Sequence, residues 1–136
     1  MNKFPKRIEI EFIPQSEHRY DTVGDYGTNE NGDWWFKITQ PEDLGGGDKG
    51  GTRAMAVLLH ELAEKLIKDH EGVSDEVVDA FDISGSGADL DDPGLDPGAP
   101  YHSQHMKADV IERAFIVMAG DDWVEYEGAI NALFPE

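Results

Sequence analysis

The sequence predicts an α+β domain: a small antiparallel sheet of two to three strands followed by about four helices. Three observations carry this expectation. Residues 1–44 contain an alternating apolar/acidic run and an aromatic, β-branched run, both at strand periodicity. Residues 52–136 contain two long stretches whose apolar residues recur at helical spacing. At 136 residues and 39% hydrophobic content the chain suits one domain with a core of its own.

Ile8, Ile10 and Phe12 alternate with Glu9 and Glu11, the pattern of a half-buried strand, and Pro14 ends it. A second short strand is expected around His18 to Val23. The turn residues Asn29-Glu30-Asn31-Gly32-Asp33 lead into Trp34-Trp35-Phe36-Lys37-Ile38-Thr39, so a hairpin is expected there, closed by Pro41. Gly45-Gly46-Gly47-Asp48-Lys49-Gly50-Gly51-Thr52 reads as a connector. It is not a phosphate loop, because the Gly-Lys-Thr order is missing and no strand runs directly into it.

A helix is predicted over Ala54 to Asp69. On a wheel of about 100° per residue, Met55, Leu58, Leu59, Leu62, Ala63, Leu66 and Ile67 fill one arc. His60 and Glu64 fall just beyond that arc and are expected to be half buried, whereas Lys65, Lys68 and Asp69 lie mid-way along the polar arc and are expected in solvent. Ser74 is a good N-cap for a short helix carrying Val77, Val78 and Phe81. Residues 83–100, rich in Gly, Pro and Asp, form a long acidic loop. From Ser103 to Ala119 the chain is apolar almost all round, which predicts a helix packed in the core, and a terminal helix is expected from Trp123 to Phe134.

The chemistry sits on the two long helices. His60 and Glu64 are spaced i, i+4, and His105, Asp109 and Glu112 are spaced i, i+4, i+7, so each set forms a stripe on one face. A carboxylate on an apolar face needs a partner, since an unpaired buried charge costs several kcal/mol or takes up a proton. If the stripes face each other, His60, Glu64 and His105 supply three ligands to a metal ion. Asp82, Asp109, Glu112 and His102 are then further ligands or their supporting partners. Zinc is the expected ion, with other divalent transition metals as alternatives. Calcium is not expected, because the acidic loop lacks the EF-hand order of Gly at the sixth and Glu at the twelfth position. His18 and His70 have no such company and are expected at the surface.

The net charge of −18 is uneven: between Asp69 and Met106 there is no Lys or Arg against ten acids. Such a field repels nucleic acid and attracts cations or a basic protein surface. The absence of Cys excludes disulfides and thiolate zinc sites. The basic N-terminus has no apolar stretch behind it, and no run reaches membrane-spanning length, so a soluble, cytoplasmic protein is expected.

The order of strands, then a helix bearing His60-Glu61-Leu62-Ala63-Glu64, then a downstream His, resembles the zincin metalloproteases in minimal form. In that family the motif is His-Glu-x-x-His. The resemblance implies that His60 is the first ligand and Glu61 the general base, and Glu64 stands where the family has its second His. More of the chain is similar to a group of small uncharacterised phage and prophage proteins. The segments that carry this similarity are Gly24-Asp25-Tyr26, the His-Glu-x-x-Glu helix, Val78 to Asp82, Asp96 to Tyr101, and His105 to Arg113. This second resemblance implies a phage or prophage origin and a bacterial host cell, and groups those segments as one site.

Two functions follow as expectations. One is a zinc-dependent hydrolase or peptidase, with Glu61 as base and a backbone group or His102 steadying the oxyanion; it requires Glu61 to face the site. The other is an acidic phage-encoded protein, with a structural metal or none, that blocks a host factor, for instance by mimicking the charge of DNA; it would present the acid run from Asp69 to Asp96, including Asp89, Asp91, Asp92 and Asp96, to a basic surface.

Overall fold

The computed structural model describes residues 4–85, 87, 90 and 92–134. The α+β class is as expected, with a three-stranded sheet and four α-helices. The strands are β1 (Ile8–Ile13), β2 (Gly24–Thr28) and β3 (Trp34–Thr39); the helices are α1 (Gly50–His70), α2 (Asp75–Asp79), α3 (His102–Met118) and α4 (Trp123–Asn131). A π-helical turn, Ala80–Ser84, continues α2. Among the described residues no helix is long and apolar enough to cross a membrane.

The sheet is mixed rather than antiparallel throughout. Its order is β1-β3-β2, with β2 antiparallel and β1 parallel to β3. The hairpin forms as expected through the Asn29–Asp33 turn, but its first strand lies later than the sequence pattern suggested, at Gly24–Thr28. The most apolar strand takes the centre, where both of its edges are paired, and residues 14–23 are long enough to carry the chain past it. The register sets Ile8, Ile10 and Phe12 opposite Trp34, Phe36 and Ile38. Those β3 side chains are buried, at 4%, 0% and 0% exposure, but their β1 neighbours are 36–43% exposed at the uncovered edge.

The core joins Tyr26, Trp34, Phe36 and Ile38 of the sheet to Ala54, Val57 and Leu58 of α1, Ile116 of α3 and Tyr126 of α4. This places α1 centrally, and its buried face is rotated from the one the wheel marked. Met55 and Leu66 are 41% and 48% exposed, while Lys65 and Lys68 are wholly buried and Asp69 nearly so. The reason is pairing. Lys65 Nζ donates to Thr28 Oγ1 (2.8 Å), Asp69 (3.1 Å) and Asp75 (3.0 Å), and Lys68 Nζ to Asp69 (2.8 Å), Asp75 and the Val73 carbonyl (3.2 Å). Each ammonium also stands over the Tyr26 ring. With every donor satisfied, two charges become tolerable in the interior.

Helix α3 also departs from expectation. It buries only one stripe, including His105, Ala108 and Ile116, and leaves Val110, Val117 and Met118 exposed at 69%, 59% and 85%. It is covered by α1, by α4 and by the turn Pro93–Leu95. The Asp122 carboxylate caps α4 by accepting from the Glu125 N–H (2.9 Å), and the helix ends at Asn131 rather than Phe134. At the other end of the core, Arg53 forms a two-pronged ion pair with Asp121 (2.8 and 3.2 Å) and donates to the Leu44 carbonyl (2.9 Å). The glycine connector wraps this guanidinium: Gly46 has φ +74°, and a Cβ there would lie 2.9 Å from the Arg53 Cζ.

Candidate metal centre

Two helical stripes meet as the spacing suggested. His60 Nε2 lies 3.2 Å from Glu64 Oε2 and 3.2 Å from His105 Nδ1, and His105 Nδ1 lies 2.9 Å from the same Glu64 oxygen. All three residues are buried, with exposures of 5%, 4% and 7%. One turn of α1 aligns His60 with Glu64, and the packing of α1 on α3 brings His105 across.

This triangle fits one cation. Four ligands at 2.0–2.1 Å around a tetrahedral ion stand about 3.3 Å apart, close to the observed edges. Tyr26 helps hold the triangle by donating its hydroxyl to Glu64 Oε1 at 2.6 Å. The outer ring nitrogens meet further carboxylates. His60 Nδ1 is 2.8 Å from Glu112 Oε1 and 3.2 Å from Asp109 Oδ1; His105 Nε2 is 3.2 Å from Asp92 and 3.6 Å from Asp109. Despite these short distances, neither nitrogen forms a hydrogen bond among the described residues.

The electrostatics are set by this crowding. Burial pulls the His60 pKa down, but Asp109, Glu112 and Glu64 outweigh it and leave it well above 6.5. At His105 burial is likewise overcome, by Asp92 and Glu64, and its pKa rises to about 10. Burial would raise the Glu64 pKa, yet the two imidazoles bring it down to about 2. The field therefore demands positive charge between the histidines, which protons or a divalent ion can supply.

Glu61 faces the same space. A cavity of about 1100 Å³ is lined by His60, Glu61, Glu64, Asp82, His105 and Glu112, among others. The Glu61 side chain lies on Gly24 of β2, where a Cβ would come within 2.6 Å of its Cγ. Among the described residues nothing donates a hydrogen bond to its carboxylate. Burial, and next the Glu64 charge, raise its pKa well above the usual 4.5. The helical wheel set Glu61 about 100° from His60; the cavity is wide enough to receive both.

The remaining assignments divide. Asp109 and Glu112 join the site. Asp82 lines the cavity but accepts from the Tyr101 hydroxyl and is not within ligand distance of the histidines; burial raises its pKa to about 6. His102 does not join the triangle: its Nδ1 donates to the Gly94 carbonyl at 2.8 Å, and it is not among the residues lining the cavity. His18 is half-buried rather than superficial, 3.0 Å from Thr39 Oγ1, and His70 is exposed. Of the loop acids, Asp92 reaches His105 and Asp96 lines the cavity; Asp89 and Asp91 lie outside the described residues.

Sequence reasoning overlooked the tyrosines. Tyr26 holds Glu64, and Tyr126 donates to Glu112 Oε2 at 2.5 Å. Tyr26 lay within a segment already grouped with the site, but a buried tyrosine reads as core until its hydroxyl's partner is known.

Comparison of the chain with protein-family models, with curated proteins and with solved structures gave no match.

Proposed function

We propose that this protein is a metal-dependent hydrolase acting on an amide or comparable carbonyl substrate, with zinc as the preferred ion. His60, Glu64 and His105 would hold the ion. The observation that supports this most directly is the combination of a three-donor triangle, with edges of 2.9–3.2 Å, and the uncommitted Glu61 carboxyl on the wall of the same cavity. The resemblance of the α1 motif to the zincin helix points the same way.

A divalent ion in such a site supplies a Lewis acid that polarises a carbonyl and makes water more acidic. The residues of the chain do the rest. Glu61 takes the proton of the attacking water and returns it to the leaving group, a role suited to a carboxylate whose proton affinity burial has increased. Tyr26 keeps Glu64 turned toward the histidines, and burial of the cluster keeps bulk water from competing with substrate. The acidic-binder reading stays the alternative; the hydrolase is preferred because Asp92 lies 3.2 Å from His105 Nε2 and Asp96 lines the cavity, which ties both acids to the site. A cytoplasmic setting and a phage or prophage origin belong to the same proposal.

The test is metal analysis of the purified chain with a hydrolysis screen of parent and Glu61→Gln. Bound metal with activity that is lost in Glu61→Gln supports the proposal. A metal-free chain, or an equally active Glu61→Gln, overturns it.

A further inference from the structure

The carboxylates Asp109 and Glu112 stand beside the ligand triangle, on the opposite edge of the His60 ring. We infer that they form a second divalent-cation site with His60 Nδ1, so that His60 serves two ions, one on each ring nitrogen. The inference rests on His60, Glu64 and His105 being a metal site.

The argument begins with an orphaned atom. His60 is 5% exposed, and among the described residues its Nδ1 has no hydrogen-bond partner although Glu112 Oε1 is 2.8 Å away and Asp109 Oδ1 3.2 Å. A ring N–H bonded to a carboxylate would have that oxygen on its axis. Here neither oxygen completes a hydrogen bond with Nδ1, close as both are. Donors sharing one ion behave in the same way, because each points at the ion and not at its neighbour; at 2.0–2.2 Å per bond, donors at the right angles of an octahedral ion stand about 3 Å apart.

The two sites are built alike. In the first, Glu64 offers one oxygen to the histidines and accepts the Tyr26 hydroxyl with the other; in the second, Glu112 offers Oε1 to His60 and accepts the Tyr126 hydroxyl with Oε2. Tyr26 and Tyr126 are 6% and 1% exposed, so each holds its carboxylate from within the core. Such supporting bonds fix a ligand's direction before the ion arrives. Asp109 is 30% exposed at its side chain and leaves an approach from outside.

Charge favours a second ion as well. Glu61, Glu64, Asp92, Asp109 and Glu112 surround two imidazoles, so one divalent ion leaves carboxylates in excess and a second reduces that excess. The His and double-carboxylate donor set suits zinc, manganese or cobalt. On binding, the second ion takes the place of the remaining His60 ring proton, which passes to solvent. The imidazole thereby becomes an imidazolate bonded through both nitrogens.

The experiment is a zinc titration of the metal-stripped full chain by calorimetry, with bound metal counted after gel filtration. It uses the parent, Glu64→Gln, Asp109→Asn, Glu112→Gln and, as a control for adventitious surface binding, His70→Ala; circular dichroism checks folding. The expected result is two equivalents in the parent and in His70→Ala. Asp109→Asn and Glu112→Gln should keep one tight equivalent and bind the second at least 10-fold more weakly. Saturation of the parent at one equivalent overturns the inference without help from any variant. So does a second equivalent that survives both Asp109→Asn and Glu112→Gln. A single equivalent lost in Glu64→Gln leaves the hydrolase site standing alone, whereas no bound zinc at all removes both sites together.

Discussion

Gly24 and Glu61 share one space: the missing Cβ of the glycine is what admits the glutamate side chain, since an atom there would fall 2.6 Å from Glu61 Cγ. A residue of the sheet thus sets where the proposed base of the helix lies. Gly24→Ala should displace the Glu61 side chain and cost about 1–3 kcal/mol, the usual size of an overpacking defect. Combining it with Glu61→Ala should recover most of that stability. Urea unfolding of both single variants and the double variant gives the coupling directly, and additive losses would show that the clash relaxes elsewhere.

His60→Ala and His105→Ala should each abolish metal retention, because each removes one of three donors. Chelator should lower the Tm of the loaded parent and leave both variants unmoved. At metal concentrations 100-fold above Kd the bound ion contributes about 2.7 kcal/mol of stability. Thermal scans with and without chelator measure this.

Glu61→Gln should keep the metal and lose hydrolysis by roughly 10²–10⁴-fold, the usual contribution of a positioned base. Equal metal content in parent and variant, read by elemental analysis, is the necessary companion result. Loss of metal in Glu61→Gln would recast Glu61 as a ligand.

The Arg53–Asp121 pair predicts a defined acid response. Its bonds to Arg53 lower the Asp121 pKa from 3.8 to about 2. A carboxylate depressed in the folded state stabilises it fully above the unfolded pKa and loses that contribution as the pH falls through the folded value. Asp121→Asn should therefore lower Tm by a constant amount above pH 4, and the gap to the parent should close between pH 4 and pH 2.

Lys68→Met should destabilise the chain by about 3–5 kcal/mol, the cost of breaking a buried ion pair from one side. Asp69 and Asp75 would each lose a buried cationic partner. Lys107→Met, at a side chain 55% exposed and paired only with Glu71, should change stability by less than about 1 kcal/mol. Chemical denaturation midpoints distinguish the two.

What the sequence disclosed, and what it hid, follows from the range of the interactions. His60 with Glu64, and His105 with Asp109 and Glu112, were legible because helical spacing is local, and the hairpin turn and the Ser74 cap were legible for the same reason. The parallel pairing of β1 with β3 was not, since either edge of β3 suits an Ile8-Ile10-Phe12 pattern. Lys65 and Lys68 looked solvent-exposed because their acceptors, Thr28 and Asp75, lie outside the helix that the wheel describes. His102 and His105 are chemically identical in sequence, and only the path of Pro93–Leu95 gives the Gly94 carbonyl to one of them and the centre to the other.

The ligand triangle also dictates an order of events. His60 and Glu64 lie on one helix and come together as soon as α1 forms, but His105 is 45 residues away from His60 and arrives only when α3 has docked. Closing that span carries an entropy cost that helix formation alone does not meet. On the proposed metal assignment, a chain being synthesised would present a two-donor half-site first, too weak to retain an ion, and would become a tight binder only on completing its tertiary structure. Metal capture would in that sense be a checkpoint on maturation: ion and fold would be acquired in one step, and a chain that misassembles α3 would stay metal-free.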